Sequence, residues 1–328
     1  MKVNYPVISV IIPTLNEEKN IGKCLESIFR QKYPKTSLEV IVVDDKSSDR
    51  TLEIVKKYPV KVLISGRHHG EISKMIGFKA AKGEYAIYLD ADVELIGKNW
   101  FQKMLKPLLE DQQIIGSVTR KYIKKLDPPL ERFLTFDPLQ RDSLYQFFST
   151  SIEDTILEKR NGYFLCQYEK DKIPPAGRCL YRKEKLLKLV SKYEMFLELD
   201  FLVLLTNKGL NKFAYVPKAG LYHHHASSMY MLLRKRLYNL NKVYLNRKER
   251  LYKWFDLNNP RDLIKIILWI MYVTLIFPSI LIGFYKVIKY KDLAGLYEPI
   301  VNLFVTYALI VSFVSTKNGR RFLLSGKP

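Results

Sequence analysis

The chain has 328 residues, with 54 Lys and Arg against 33 Asp and Glu and a formal net charge of +21 at pH 7. That length allows one large domain with added elements or two domains, and the charge asks for an anionic partner: nucleic acid, anionic lipid head groups or a phosphorylated substrate. Cys24, Cys166 and Cys179 are scattered and odd in number, which excludes a disulfide framework and a zinc ligand set and indicates a reducing compartment.

The opening "MKVNYPVISVII" enters a strand-like run directly, without signal-peptide organisation. Residues 7–12 read as a strand, followed by a helix in which Ile21, Leu25, Ile28 and Phe29 share a face. "LEVIVV" at 38–43 is continuously apolar, as a strand covered on both faces should be. Asp49 can cap a helix over 50–58; a strand over 60–64 and a helix over 71–81 follow. The next strand, in "EYAIYLDADVELIG" at 84–97, runs out in Asp90 and Asp92. Extension through Ala91 puts both acids on one side. Like charges there repel, so either water solvates them at a loop tip or a cation holds them.

This alternation predicts an α/β fold with a mostly parallel mixed sheet and helices on both faces. Ligands of such sheets bind beyond the carboxyl ends of the strands. Four polar strand ends fall there: Pro13 to Glu17, Asp44 to Ser47, Gly66 to Gly70 with His68 and His69, and Asp90 to Asp92. Each alone reads as a solvated loop; four on one edge predict a site. Residues 121–176 are less regular. A short strand and helix follow "IPPAGR", then a helix in "MFLELDFLVLLTNKG" ended by Gly209, and a strand in "NKFAYVP".

Residues 226–262 form a basic segment in which Leu233, Leu237, Leu240 and Tyr244 keep helical spacing, with Arg234, Lys235, Lys242 and Arg247 on other faces. This fits an amphipathic helix on an anionic membrane surface or a surface helix packed on the domain. Residues 266–285 and 299–316 are uncharged and predict two transmembrane helices within 263–316, with Pro278 tolerable in the first. A buried core hairpin is the alternative. Arg247, Lys248, Arg250, Lys253, Arg261 and Lys265 precede the pair, and Lys317, Arg320, Arg321 and Lys327 follow it in a basic tail over 317–328. The positive-inside rule then places the chain in the cytoplasmic membrane, with both termini cytoplasmic.

"VSVIIPTLNEEKNIGKCLESI", "EVIVVDDKSSDRTLEIV", "AAKGEYAIYLDADV", "PPAGRCLYRKE", "ELDFLVLLTNKG" and "YVPKAGLYHHH" closely resemble the family 2 glycosyltransferases, which have the Rossmann-like GT-A fold. The resemblance covers about the first 235 residues. It implies a cytosolic GT-A domain over 1–225, with a nucleotide-sugar-binding half (1–120) and an acceptor and catalytic half (121–225). It also implies that the Asp-x-Asp holds Mn²⁺ or Mg²⁺ on the diphosphate of a UDP- or GDP-sugar, with Asp92 as ligand and Asp90 on the ribose or the metal's water shell. Thr14 and Glu17 would line the nucleoside pocket, Asp45 would accept a base N–H, and Lys74 would pair with a phosphate. Ala91 lies between the two aspartates, Arg178 would touch a sugar or an acceptor phosphate, and His223 falls where some relatives place a histidine near the metal. Met75 stands where relatives often have Asn. His224 and His225 read as surface or membrane-interface residues, and His68 and His69 as a solvated loop.

An inverting transfer needs a carboxylate base. The usual Glu-Asp pair is altered here: counting back from Gly209, the base position is Glu198, and Asp200 is a second acid two residues on. Both could instead be ordinary first-turn residues favoured by the helix dipole. The Gln-x-x-Arg-Trp motif of processive synthases is absent. The expectation is a membrane-anchored, metal-dependent, inverting glycosyltransferase with a lipid-linked acceptor, a polyprenyl phosphate or lipid-linked glycan, and with anionic lipids rather than nucleic acid answering the charge. The alternatives are a soluble or protein acceptor, or a catalytically silent nucleotide-sugar-binding membrane protein.

Overall fold

The structure, a computed structural model, describes residues 5–223, 226–246 and 251–325. In chain order, β1 (Ile8–Thr14), α1 (Ile21–Phe29), β2 (Leu38–Asp44), α2 (Thr51–Val55), β3 (Lys61–Ile64), α3 (Gly70–Ala80) and β4 (Tyr85–Tyr88) alternate as predicted. They are followed by β5 (Val93–Leu95), α4 (Trp100–Glu110), β6 (Gly116–Tyr122), the short α5 (Pro129–Leu134) and α6 (Ser143–Phe148), and the hairpin β7 (Ile156–Arg160) and β8 (Tyr163–Gln167). Then come β9 (Cys179–Arg182), α7 (Lys183–Val190), α8 (Glu198–Asn207), β10 (Lys212–His223), α9 (Met229–Tyr238), α10 (Pro260–Thr274), α11 (Phe277–Tyr290), α12 (Tyr297–Ser315) and α13 (Lys317–Ser325).

The chain divides into two compact units. The first is Met1–Tyr122 with Ser151–His223; the second is Ile123–Thr150 with His224–Pro328. The expected catalytic half, 121–225, differs from this at 123–150, which groups with the C-terminal unit. The reason is hydrophobic: Leu130, Phe133 and Leu134 of α5 form one buried cluster with Leu232 of α9 and Val301 and Val305 of α12. Arg132 also forms an ion pair with Asp292 at 2.8 Å.

In the first unit the sheet order is β3-β2-β1-β4-β9-β6-β10-β8-β7, with β5 joined to β10. β1 pairs in parallel with β2 and β4, and β2 with β3, so the carboxyl ends of these four strands share one edge. β9 runs antiparallel to β4 and β6, which makes the sheet mixed. Along β1 the residues alternate between faces: Ile8, Val10 and Ile12 pack in one cluster with Ile21, Leu25 and Ile28 of α1 and Met104 and Leu108 of α4. Ile11 faces the other way, toward α3. There Gly77 permits the approach, since a Cβ on it would lie 2.2 Å from Ile11 Cγ2.

The second unit refines the sequence expectations at two places. The first expected span, 266–285, is broken: α10 and α11 are bent by 78° at Leu275 and Ile276, and Ile276 takes φ +58°. Pro278 explains the break, because it has no N–H to donate and its ring clashes with the carbonyl four residues back. Among the described residues one helix, Leu293–Ser315, is by itself long and apolar enough to cross a membrane, and the bent pair makes a second if it counts as one span. The predicted amphipathic face is used inside the unit. Leu240 and Tyr244 are buried, and Leu233 packs on the α5–α12 cluster, while Arg234 and Lys242 remain exposed. Arg236 is also buried, on Asp142 at 2.7 Å. Arg247, Lys248, Arg250 and Lys327 lie outside the described residues.

Gly77→Val forces α3 away from β1. It is expected to destabilise the first unit by about 1–3 kcal/mol, as overpacking does, and to lower its urea midpoint. An unchanged midpoint would show that α3 does not seat on β1 at this distance.

Candidate active site

The site begins where β4 ends. The strand stops at Tyr88, and instead of continuing extended through Ala91 the chain turns, with Val93 N–H donating to the Asp90 carbonyl at 3.1 Å. β5 then pairs antiparallel with the end of β10, in a register that sets His223 opposite Val93. The turn and this pairing bring Asp90, Asp92 and His223 together: each offers one ligand atom, and all lie within 4.8 Å of one another. His223 Nε2 is 3.7 Å from Asp90 Oδ2 and 3.7 Å from Asp92 Oδ1. Ala91, between the acids, is buried. Two carboxylates and one imidazole are a donor set suited to a divalent cation such as Mn²⁺, and carboxylate oxygens alone suit Mg²⁺.

Arg178 stands on the other side of Asp90. It precedes β9, whose antiparallel register (Tyr85 with Arg182, Ala86 with Tyr181) lays its start beside the end of β4. The guanidinium forms an ion pair with Asp90 Oδ2 and donates to Tyr88 Oη at 2.9 Å. Tyr88 in turn donates to Glu198 Oε2 at 2.7 Å, and Tyr181 donates to Glu198 Oε1 at 3.2 Å. Lys74 Nζ lies 4.4 Å from the centre of the Tyr88 ring and pairs with Glu71 at 2.8 Å. Asp90, Arg178, Tyr88, Lys74 and Glu198 therefore form one connected set.

Glu198 and Asp200 occupy the first turn of α8. Residues two apart on a helix face different directions, so the pair does not act as one group. The two phenols receive Glu198, while Asp200 is buried two residues on. Burial raises the Glu198 carboxyl above the usual glutamate value, against the opposing pull of Arg178, the Tyr88 hydroxyl, Lys74 and the Tyr181 hydroxyl. Burial likewise pushes the Tyr88 and Tyr181 phenols well up, so both remain hydrogen-bond donors at neutral pH.

A second group forms at the ends of β1, β2 and β3. Asp45 N–H donates to the Thr14 carbonyl at 2.9 Å. The Asp45 carboxylate accepts from the Ser65 hydroxyl at 2.6 Å and from His68 N–H at 2.9 Å. Burial acts to raise this carboxyl, but the Ser65 hydroxyl and the backbone N–H groups of residues 67–69 outweigh it and hold it below the ordinary aspartate value. The Thr14 hydroxyl is buried without a hydrogen-bond partner among the described residues, as a group awaiting a ligand would be.

Glu17 belongs to a different local set: its N–H donates to Thr51 Oγ1 at 2.7 Å and its carboxylate accepts from Asn20 at 2.8 Å, which organises the entry to α1. His68, with φ +50°, supplies its backbone rather than its ring to Asp45, and His69 caps α3 through Nδ1. Met75 is a buried core residue. His224 and His225 lie outside the described residues. Sequence reasoning missed Tyr88, Tyr181 and Ser65. Tyr88 was within reach of it, since strand alternation puts residue 88 on the same side as residue 90. Tyr181 and Ser65 become neighbours of the site only through sheet pairing.

The model of glycosyl transferase family 2 matches residues 9–186, more than half of the chain. The poly(ribitol-phosphate) beta-N-acetylglucosaminyltransferase TarS of Staphylococcus aureus is 32% identical over 166 residues, covering 48% of this chain and 29% of TarS. The dolichyl N-acetyl-alpha-D-glucosaminyl phosphate 3-beta-D-2,3-diacetamido-2,3-dideoxy-beta-D-glucuronosyltransferase of Methanococcus voltae is 28% identical over 162 residues, covering 44% of this chain and 50% of that enzyme. The chain thus spans half or less of the length of these relatives. In fold it is similar to the mannosyltransferase PcManGT from Pyrobaculum calidifontis, solved in complex with GDP-Man and Mn²⁺, with a TM-score of 0.51 at 15% identity over 99% of this chain and 80% of that one. With the mixed sheet, the acidic strand end and the family match across residues 9–186, the chain belongs to glycosyl transferase family 2.

Proposed function

We propose that the protein is a metal-dependent, inverting glycosyltransferase that moves a sugar from a nucleotide-diphosphate donor to a lipid-linked acceptor at the cytoplasmic face of a membrane. The observation that carries this reading is the junction at Asp90, where three residues placed so that they could hold a cation connect through Arg178 and Tyr88 to a buried carboxylate. Relatives support the donor and acceptor classes: PcManGT was solved with GDP-Man and Mn²⁺, and the Methanococcus voltae enzyme is named for dolichyl N-acetyl-alpha-D-glucosaminyl phosphate.

Asp92, Asp90 and His223 would hold the cation, which when bound supplies a Lewis acid for the charge growing on the departing diphosphate. Arg178 and Lys74 offer two further positive groups for that diphosphate, each tethered here to a carboxylate it can exchange for phosphate. Asp45 is held ionised by its donors and can accept an N–H from the base, beside the open Thr14 hydroxyl. Glu198 is the base: it takes the proton from the attacking hydroxyl of the acceptor, so that the oxygen displaces the diphosphate at the anomeric carbon in line. The tethers from Tyr88 and Tyr181 fix the carboxylate for that transfer. For the membrane, the apolar C-terminal helices and the surplus of Lys and Arg supply the attachment. Two spans with both termini in the cytoplasm is one arrangement that would achieve it.

Membranes containing the protein, incubated with Mn²⁺ or Mg²⁺ and radiolabelled UDP- and GDP-sugars, are expected to move label into the organic-solvent phase. Asp92→Asn should lower this by about 100-fold or more, since a metal's electrostatic contribution is several kcal/mol. Label that stays aqueous but reaches a soluble acceptor would replace the lipid-linked reading; no transfer from any donor would favour a silent nucleotide-sugar-binding protein.

Glu198→Gln should cost roughly 100-fold or more where the acceptor is a hydroxyl, in the range of general-base contributions. Because folding raises the Glu198 carboxyl and the base works deprotonated, the rate should climb with pH through a value above that of an ordinary glutamate. An acid limb in the ordinary glutamate range, or full activity in the variant, would remove Glu198 from this role.

A further inference from the structure

Tyr88 meets both charged halves of the site. Its hydroxyl accepts from Arg178 at 2.9 Å and donates to Glu198 at 2.7 Å. Its ring lies 4.4 Å from Lys74 Nζ and 4.7 Å from the Arg178 guanidinium carbon. Both cations offered to a diphosphate thus rest on one aromatic face system, and the carboxylate assigned as base hangs from the same residue. The ring itself is closely packed: it is 2% exposed and edge-on to Phe78 and Phe196, with centroids 6.5 and 5.6 Å away. A strand residue locked by packing and placed between two functional groups transmits its position to both.

We infer that Tyr88 is the positioning residue of this site, setting the base through its hydroxyl and the diphosphate cations through its ring. The inference rests on the transferase reading above and adds a separable prediction, because hydroxyl and ring can be removed one at a time. The groups facing Glu198 are Tyr88 from β4, Tyr181 from β9, Arg178 from the segment before β9 and Lys74 from α3. Of these, the two phenols touch its oxygens.

Tyr88→Phe keeps the ring and removes the hydroxyl. It is expected to lower kcat by roughly 10- to 100-fold, the effect of deleting a hydrogen bond to a charged group, with a smaller rise in donor KM from the acceptor that Arg178 also loses. The acid limb of kcat/KM should move to higher pH, because a donor that favours the ionised carboxylate is gone. Tyr181→Phe should move the limb in the same direction. Tyr88→Leu removes the ring as well and should raise donor KM by a further factor of about 3–10 through the lost cation–ring contacts.

The same shift can be read without turnover. Infrared titration of the carboxyl band, identified by its loss in Glu198→Gln, should place the Glu198 transition higher in Tyr88→Phe than in the parent. A transition that stays in place in both Tyr88→Phe and Tyr181→Phe would overturn the inference, as would an equal loss of kcat in Tyr88→Phe with an unmoved limb, the mark of a merely structural residue. A parent without transfer activity but with the infrared shift would sink the transferase reading and leave the positioning role standing.

Discussion

Like charges held close together at the end of a buried strand repel, and the architecture of this site follows from how that repulsion is met. Asp90 and Asp92 lie on a tight turn, both only partly exposed to water. The fold answers from two directions, with Arg178 from the segment before β9 and the imidazole of His223 from the end of β10, and the three ligand atoms lie within 4.8 Å of one another, close enough to share a cation. The interaction of two carboxylates at such range can be unfavourable by several kcal/mol in a partly desolvated site, on the order of magnitude of a folding free energy. A strand end of this kind persists only where the compensation is built in.

Compensation at Asp90 has a consequence for Glu198. Arg178 serves Asp90 while lying against Tyr88, and Tyr88 accepts from Arg178 while donating its own proton to Glu198. The donor side and the base side of the site thus share one short hydrogen-bonded path across β4 and β9. Buried polar groups of this sort are worth most when every member is satisfied. Glu198 has a phenol on each oxygen.

The second unit obeys a similar rule in a more apolar setting. Glu298 of α12 is buried and accepts from Lys286 at 2.5 Å, Ser143 at 2.8 Å, Tyr272 at 2.9 Å and Asn302 at 2.8 Å. Asp142 does the same for Arg236. These contacts tie α5, α6 and the helices after residue 226 into one body, even though α5 and α6 interrupt the first unit in sequence. A charge can be kept away from water only when its partners arrive from several segments at once, and here those segments include residues 123–150 as well as those after His223.

Much was legible without coordinates. Continuous apolar runs at 38–43 and 85–89, alternating along the chain with helical faces such as Ile21, Leu25 and Ile28, point by periodicity to an α/β fold whose first four strands run parallel. The polar strand ends then determine where its ligand edge lies, since that edge is fixed by strand direction. Four things needed the tertiary structure. That Asp90 and Asp92 converge through a turn rather than an extended strand depends on β5 pairing with β10. That Glu198 rather than Asp200 meets the phenols depends on how α8 is rotated against β4 and β9. That Tyr181 and Ser65 join the site depends on pairings across tens of residues. That the first apolar stretch is bent by as much as 78° is seen only in the tertiary structure, although Pro278 marks the place. Periodicity is a local property carried by neighbouring residues; contact between a strand end, a distant loop and a helix turn is a property of register and packing, which a single chain of letters does not contain.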